Sequence, residues 1–146
     1  MSTAAAPLPV TWAPRRTRAV LLPMCAVLVT VFTVMAFALP ANWHLNDRVA
    51  MVVSGLLFAG VALMLARPRV SADADGVTVV NFVRSRRLAW AEIVRVNFRA
   101  GDPWVTLDLA DGTALAAVGI QAGGGRERAI AAARTLRDLV EQRHAG

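Results

Sequence analysis

The stretch VTVVNFVRSRRLAWAEIVRVNF, residues 77–98, is where the chain changes character. Val77 to Val83 is rich in β-branched and aromatic residues, Arg84-Ser85 interrupts it and Arg86 to Trp90 resumes it, which predicts a hairpin with a basic tip. Beyond it Val94, Val96 and Phe98 alternate with Arg95, Asn97 and Arg99, the period-two pattern of a strand with one buried face. Downstream, Gly101-Asp102-Pro103 breaks the chain, and Val105, Leu107 and Leu109 alternate with Trp104, Thr106 and Asp108 as a second half-buried strand. Asp111-Gly112 reads as a tight turn into a returning strand, TALAAVGI.

Gly123 to Gly125 then leads into a helix expected over about residues 126–143. Ile130, Ala133, Leu136 and Val140, with Ala129, Ala132 and Leu139 beside them, form its apolar stripe. Arg134 with Asp138 and Arg137 with Glu141 have the spacing of ion pairs on its solvent side. Residues 67–146 therefore read as several antiparallel strands and one amphipathic helix, a unit small enough to need that helix to close its core.

Upstream the composition is of another kind. Of 146 residues 56% are hydrophobic and 18% charged, and the mean hydropathy is +0.49. Residues 19–39 run 21 positions without a charge, enough to cross roughly 30 Å of hydrocarbon as a helix. Residues 49–66 form a second run of 18, with Arg48 and Arg67 placed to snorkel at its ends. The nine residues PANWHLNDR between them predict a transmembrane hairpin, with Trp43 as an interfacial anchor. Residues 1–18 carry Arg15, Arg16 and Arg18 without acids, the connecting loop has Arg48 beside Asp47, and twelve arginines face nine acids after the second run. The positive-inside rule then puts the basic N-terminal tail and residues 67–146 both on the cytoplasmic side. Read as a cleavable leader, the first run ends on Ala36-Phe37-Ala38, which has the small-x-small form of a cleavage site; the second run then acts as a stop-transfer segment with the same outcome.

Composition also narrows the chemistry. All 16 basic residues are arginine, which excludes a Walker-type phosphate loop and lysine Schiff-base catalysis. A single cysteine forms no intramolecular disulfide. Neither apolar run contains an ionisable side chain other than Cys25, so no proton or ion path is written there. Gly55, Ala59, Ala62 and Ala66 lie along one helix face, and Ala26, Thr30 and Thr33 along another, suited to packing the two spans together or to an oligomer.

The order Gly76-Val77-Thr78-Val79-Val80-Asn81, Arg87-Leu88-Ala89-Trp90-Ala91-Glu92-Ile93, Trp104-Val105-Thr106-Leu107, Asp111-Gly112 and Leu136-Arg137, placed after two spans, resembles the actinobacterial membrane-anchored bacterial PH-like (pleckstrin-homology) family, of the low molecular weight protein antigen 6 type. The resemblance implies an α+β membrane protein of the bacterial inner membrane: a two-helix hairpin, then a small antiparallel β barrel or bent sheet capped by the C-terminal helix. It departs from eukaryotic relatives in having no lysine in the basic hairpin and no tryptophan in the last helix, so phosphoinositide specificity is not implied.

Arg84, Arg86 and Arg87 are the candidates for anionic lipid headgroups, and Arg126 and Arg128, after the glycine run, for an anion at a helix start. Trp104 is the candidate for docking a protein partner, together with open sheet edges. Trp90, Glu92, Ile93, Asp111 and Gly112 belong to the family pattern and are expected to be structural, Trp90 within the core. Glu92, Asp102, Asp108 and Asp111 form no acid/base pair in the sequence pattern, and His44 and His144 lie in a loop and at the tail. The expectation is a non-enzymatic scaffold at the bilayer with no cofactor, no metal and no nucleic-acid partner; the alternatives are a lipid-headgroup reader and an accessory subunit of a larger membrane complex.

Overall fold

The computed structural model describes residues 6–146; the first five residues of the basic tail lie outside the described residues. The chain divides into two compact units, Arg16–Ala66 and a second made of Arg67–Gly146 with the described residues up to Arg15.

The first unit is a pair of helices, α1 (Arg15–Ala38) and α2 (Leu45–Leu65), each long and apolar enough to cross a membrane. Helix α2 begins four residues before the apolar run, because the Asp47 carboxylate accepts the His44 amide at 3.0 Å and caps its first turn. Gly55, Ala59, Ala62 and Ala66 are all buried, and a Cβ on Gly55 would stand 2.7 Å from Phe32 Cβ. This small-residue face is thus occupied by α1 within the hairpin and is not open to a second copy. The packing face of α1 is not Ala26-Thr30-Thr33; it runs through Cys25, Phe32 and Ala36, while Ala26 and Thr30 are exposed. Each helix is closed by an arginine from the other. Arg18 Nε donates to the Ala66 carbonyl at 2.7 Å, and Arg48 donates to the carbonyls of Ala36 and Leu39, both at 2.8 Å. Antiparallel packing sets a cation from the first turn of one helix against the carbonyl end of its neighbour, where the helix dipole favours it. Arg48 therefore caps α1.

The second unit holds seven strands in two antiparallel sheets. Strands β1 (Val10–Trp12), β2 (Arg69–Ala72), β3 (Gly76–Val80) and β4 (Ser85–Ala89) pair in that order; β5 (Ile93–Asn97), β6 (Trp104–Leu109) and β7 (Ala114–Gln121) form the other. Helix α3 (Arg126–Ala145) covers the core, burying Ala129, Ala132, Ala133, Leu136, Leu139 and Val140 in one cluster with Val77, Leu88, Ile93, Val96 and Leu107. The sheets do not close into the barrel that the family resemblance offered as one alternative. A 3-10 turn, Trp90–Glu92, diverts the chain after β4 so that β5 pairs with β6. The open seam is bridged elsewhere: Asn81 Nδ2 donates to the Ala116 carbonyl at 2.7 Å and Asn81 Oδ1 accepts the Val118 amide at 3.2 Å.

Three features depart from the sequence expectations. Strand β1 precedes α1 in a segment expected to be a tail; Val10 pairs with Ala72 and Trp12 with Val70, and Leu8, Val10 and Trp12 pack on the core. The register shifts between Ile93 and Arg95, so Val94 does not share the buried face of Val96 but turns outward and is 57% exposed. Arg137 does not pair with Glu141; its Nη2 donates to the Val96 carbonyl at 3.0 Å.

Candidate functional site

Strand β5 is the outer strand of its sheet, and α3 runs beside it. Between them lies a groove of about 310 Å³ lined by Val94, Arg95, Val96, Asn97, Arg137, Val140 and Glu141. Its floor is Val96 and Val140, both buried, and its rim is charged and polar. Two rim groups are held in place: Arg137 by the Val96 carbonyl, and Asn97 by donating from Nδ2 to Asp108 Oδ2 at 2.7 Å. The bulge leaves Val94 at the mouth. An apolar floor with a few fixed polar groups is the usual chemistry of a recognition pocket. The groove is large enough for an aliphatic side chain, and its rim carries the Arg95 and Arg137 guanidiniums and the Glu141 carboxylate. It contains no nucleophile and base in the arrangement that catalysis needs.

The other candidate residues are dispersed. Arg84 lies in the β3–β4 turn, whereas Arg86 and Arg87 lie on β4 and, as successive strand residues, project from opposite faces. The three arginines therefore do not form one basic tip. Arg87 is engaged with Asp73, its Nη1 and Nη2 each 2.9 Å from a carboxylate oxygen, and with Thr78 Oγ1 at 3.1 Å. Arg86 makes only a 3.9 Å ion pair with Asp111. Arg126 lies 5.7 Å from the Phe98 ring centroid and donates to the Arg99 carbonyl at 3.4 Å, while Arg128 is exposed. Trp104 stands half-buried at the start of β6, opposite Gln121, and is not among the groove residues.

The Arg87 guanidinium, and after it the Asp75 amide, hold the Asp73 carboxyl below its ordinary range. A carboxylate with a lowered folded-state pKa stabilises the fold above the ordinary range and loses that contribution as the pH falls through the lowered value. Arg87→Ala is accordingly expected to melt slightly below wild type at neutral pH, the effect being small because both groups are largely exposed. The two melting curves should converge as the pH falls below the carboxylate range; a gap that persists in acid would mean that Arg87 acts through something other than Asp73.

The corner residues are tied together. Trp90 is 7% exposed, its Nε1 donates to the Asp73 carbonyl at 3.1 Å, and Arg143 stacks 5.7 Å from its ring centroid. Glu92 Oε2 accepts the Ala89 amide at 2.7 Å and the Glu92 carbonyl accepts the Ala110 amide at 2.8 Å. His144 Nε2 is 3.0 Å from the Trp90 carbonyl, so the last turn of α3 closes on this corner, a role the sequence did not suggest for a tail histidine. At the Asp111-Gly112 turn, Gly112 takes φ +85° and its amide donates to Leu109. Thr113 Oγ1 and its amide hold the Asp111 carboxyl below the ordinary range.

Residues 67–139, half of the chain, match the family model described as Bacterial PH domain. The chain belongs to this family. Uncharacterized proteins of Mycobacterium bovis and Mycobacterium tuberculosis are each 39% identical to it over 94 residues, 64% of this chain and 60% of the relative. They set the PH domain within an actinobacterial group, and the chain matches about three fifths of the length of these curated relatives. No solved structure gives a significant match.

Proposed function

We propose that the protein is a non-enzymatic interaction module tethered to the bacterial inner membrane. In this reading α1 and α2 cross the bilayer as a hairpin, both flanks face the cytoplasm, and the PH domain docks a protein partner in the β5–α3 groove. The groove itself carries the proposal, as an apolar floor at an outer strand with two arginines on its rim. The partner chemistry that fits is an extended segment with an aliphatic side chain next to a carboxylate. Two further observations support the tethering. The outer faces of both helices expose Val27, Val34, Phe37, Leu57, Phe58 and Val61, which suit a lipid environment. Strand β1, before α1, pairs with β2, after α2, so a spanning hairpin would keep both flanks on one side.

The test is photo-crosslinking in native membranes with the probe at Val94 or at Trp104. One partner is expected to be captured reproducibly from Val94, and Arg95→Glu should abolish its capture without changing thermal stability. Capture from Trp104 alone would move docking to the outer face of β6, and lipid adducts alone at both positions would overturn the scaffold reading.

A further inference from the structure

Outside the helical hairpin, residues 15–65, the exposed large apolar side chains among the described residues are Val83, at 70%, and Val94. Val94 belongs to the groove; Val83 does not, and its setting differs. It sits with half-buried Phe82 in the turn between β3 and β4, followed directly by Arg84. This turn is braced rather than loose. The Asn81 amide donates to the Arg84 carbonyl at 2.8 Å, and the Asn81 side chain is fixed at both ends to the backbone of β7. An apolar side chain held out on a braced support calls for something to cover it.

The register identifies which end of the sheet carries the turn. Val80, the last residue of β3, pairs with both Ser85 and Arg69, and Arg69 is the first residue of β2. Trp12, the last residue of β1, pairs with Val70. The chain therefore leaves for α1, returns from α2 and turns at Phe82-Val83 at one and the same end of the four-stranded sheet. Arg69 follows Leu65 of α2 by four residue steps, which span at most about 14 Å. Arginines predominate at this end: Arg15, Arg69 and Arg84 are exposed, and Arg86 follows with a 3.9 Å ion pair to Asp111, the one carboxylate drawn to it.

We propose that the Phe82-Val83 tip is a second membrane contact, dipping into the interface of an anionic bilayer with Arg84 and Arg69 against the lipid phosphates. The proposal rests on the reading of α1 and α2 as spanning helices and is independent of the groove. An apolar tip flanked by cations is the arrangement that interfaces favour, since the side chain leaves water while the guanidiniums stay at headgroup depth. Two tethers and a tip would fix the orientation of the domain on the membrane, which a hairpin alone does not do.

The test uses the full chain with Cys25→Ala and Val83→Cys carrying an environment-sensitive fluorophore, reconstituted into nanodiscs of phosphatidylglycerol and phosphatidylcholine or of phosphatidylcholine alone. The same label at Ala74→Cys, in the exposed turn at the opposite end of the sheet, is the reference. In anionic discs the Val83 label is expected to shift to the blue, to be quenched by lipid-borne spin labels and to be several-fold less accessible to iodide than the Ala74 label. Arg69→Glu with Arg84→Glu should reduce the inserted fraction roughly tenfold, as should raised salt. An unlabelled check is Val83→Asp, which should melt as wild type yet be cut by trypsin after Arg84 several-fold faster in anionic discs. Iodide access equal to that of Ala74 in every lipid overturns the proposal. So does shielding that ignores lipid charge and shows no quenching from the bilayer, because a protein surface would then cover the tip. A chain that fails to enter discs removes the spanning reading as well, which separates the two failures.

Discussion

Gly119→Ala is expected to destabilise the PH domain by about 3 kcal/mol, the upper end of what overpacking costs, and to lower its melting temperature by more than about 10 °C. A Cβ built on Gly119 stands 2.5 Å from Arg69 Cα, 2.6 Å from Arg69 C and 2.8 Å from Val70 N, all backbone atoms. Neither side can yield cheaply. Strand β2 is held between β1 and β3, and β7 is paired to β6 on either side of Gly119, at Ala117 and at Gln121. The contact is where the two sheets meet, so displacing β7 also strains the Asn81 bonds to Ala116 and Val118. Gly124→Ala, where a Cβ meets nothing, is the matched control and should stay within about 0.5 kcal/mol of wild type. Near-UV dichroism of the protein in mild detergent reads mainly the domain, which holds Trp12, Trp90 and Trp104 against Trp43 in the hairpin loop. A Gly119→Ala protein that melts with the control would mean that the sheets do not meet there.

Gly119 also marks the limit of what was legible in the sequence. A glycine inside an apolar strand signals close approach of another backbone, but the identity of that backbone is a tertiary fact. What depends on local pattern could be read directly: the alternation of Val105, Leu107 and Leu109, the turn at Asp111-Gly112, the stripe of α3 and the two uncharged runs. What depends on distant partners could not. Strand β1 is three residues long, follows Pro9, and pairs with residues about sixty positions away, so no periodic signal betrays it. Val94 faces outward, against its alternation with Arg95, because a register shift inverts the faces of a strand, and nothing in IVRVNF announces it. The groove was missed for the same reason, since its mouth is Val94 and its rim is fixed by Arg137 turning to Val96 rather than to Glu141. Three neighbouring cations look like one site in a sequence, but a strand sends Arg86 and Arg87 to opposite faces, and Asp73 engages the second of them.

Trp90→Ala is expected to have the largest effect of any single side-chain truncation in the domain, about 3–5 kcal/mol, the usual cost of removing a buried large aromatic. The indole does three things at once at the corner between the sheets. It fills the core beside Leu88 and Ile93, it donates to the Asp73 carbonyl in the β2–β3 turn, and its face carries Arg143 from the last turn of α3. Its own carbonyl holds His144. Trp90→Phe keeps most of the apolar area but gives up the Nε1 hydrogen bond and leaves the Asp73 carbonyl short of a partner, a loss of about 1–2 kcal/mol. The two variants therefore separate packing from hydrogen bonding, and urea unfolding in mild detergent followed by near-UV dichroism would measure both. If Phe costs as much as Ala, the corner is held by the indole N–H and the tryptophan is specified for its donor. If Phe is nearly silent, volume alone is required, and Glu92, with its bonds to Ala89 and Ala110, becomes the residue that sets the angle between the sheets.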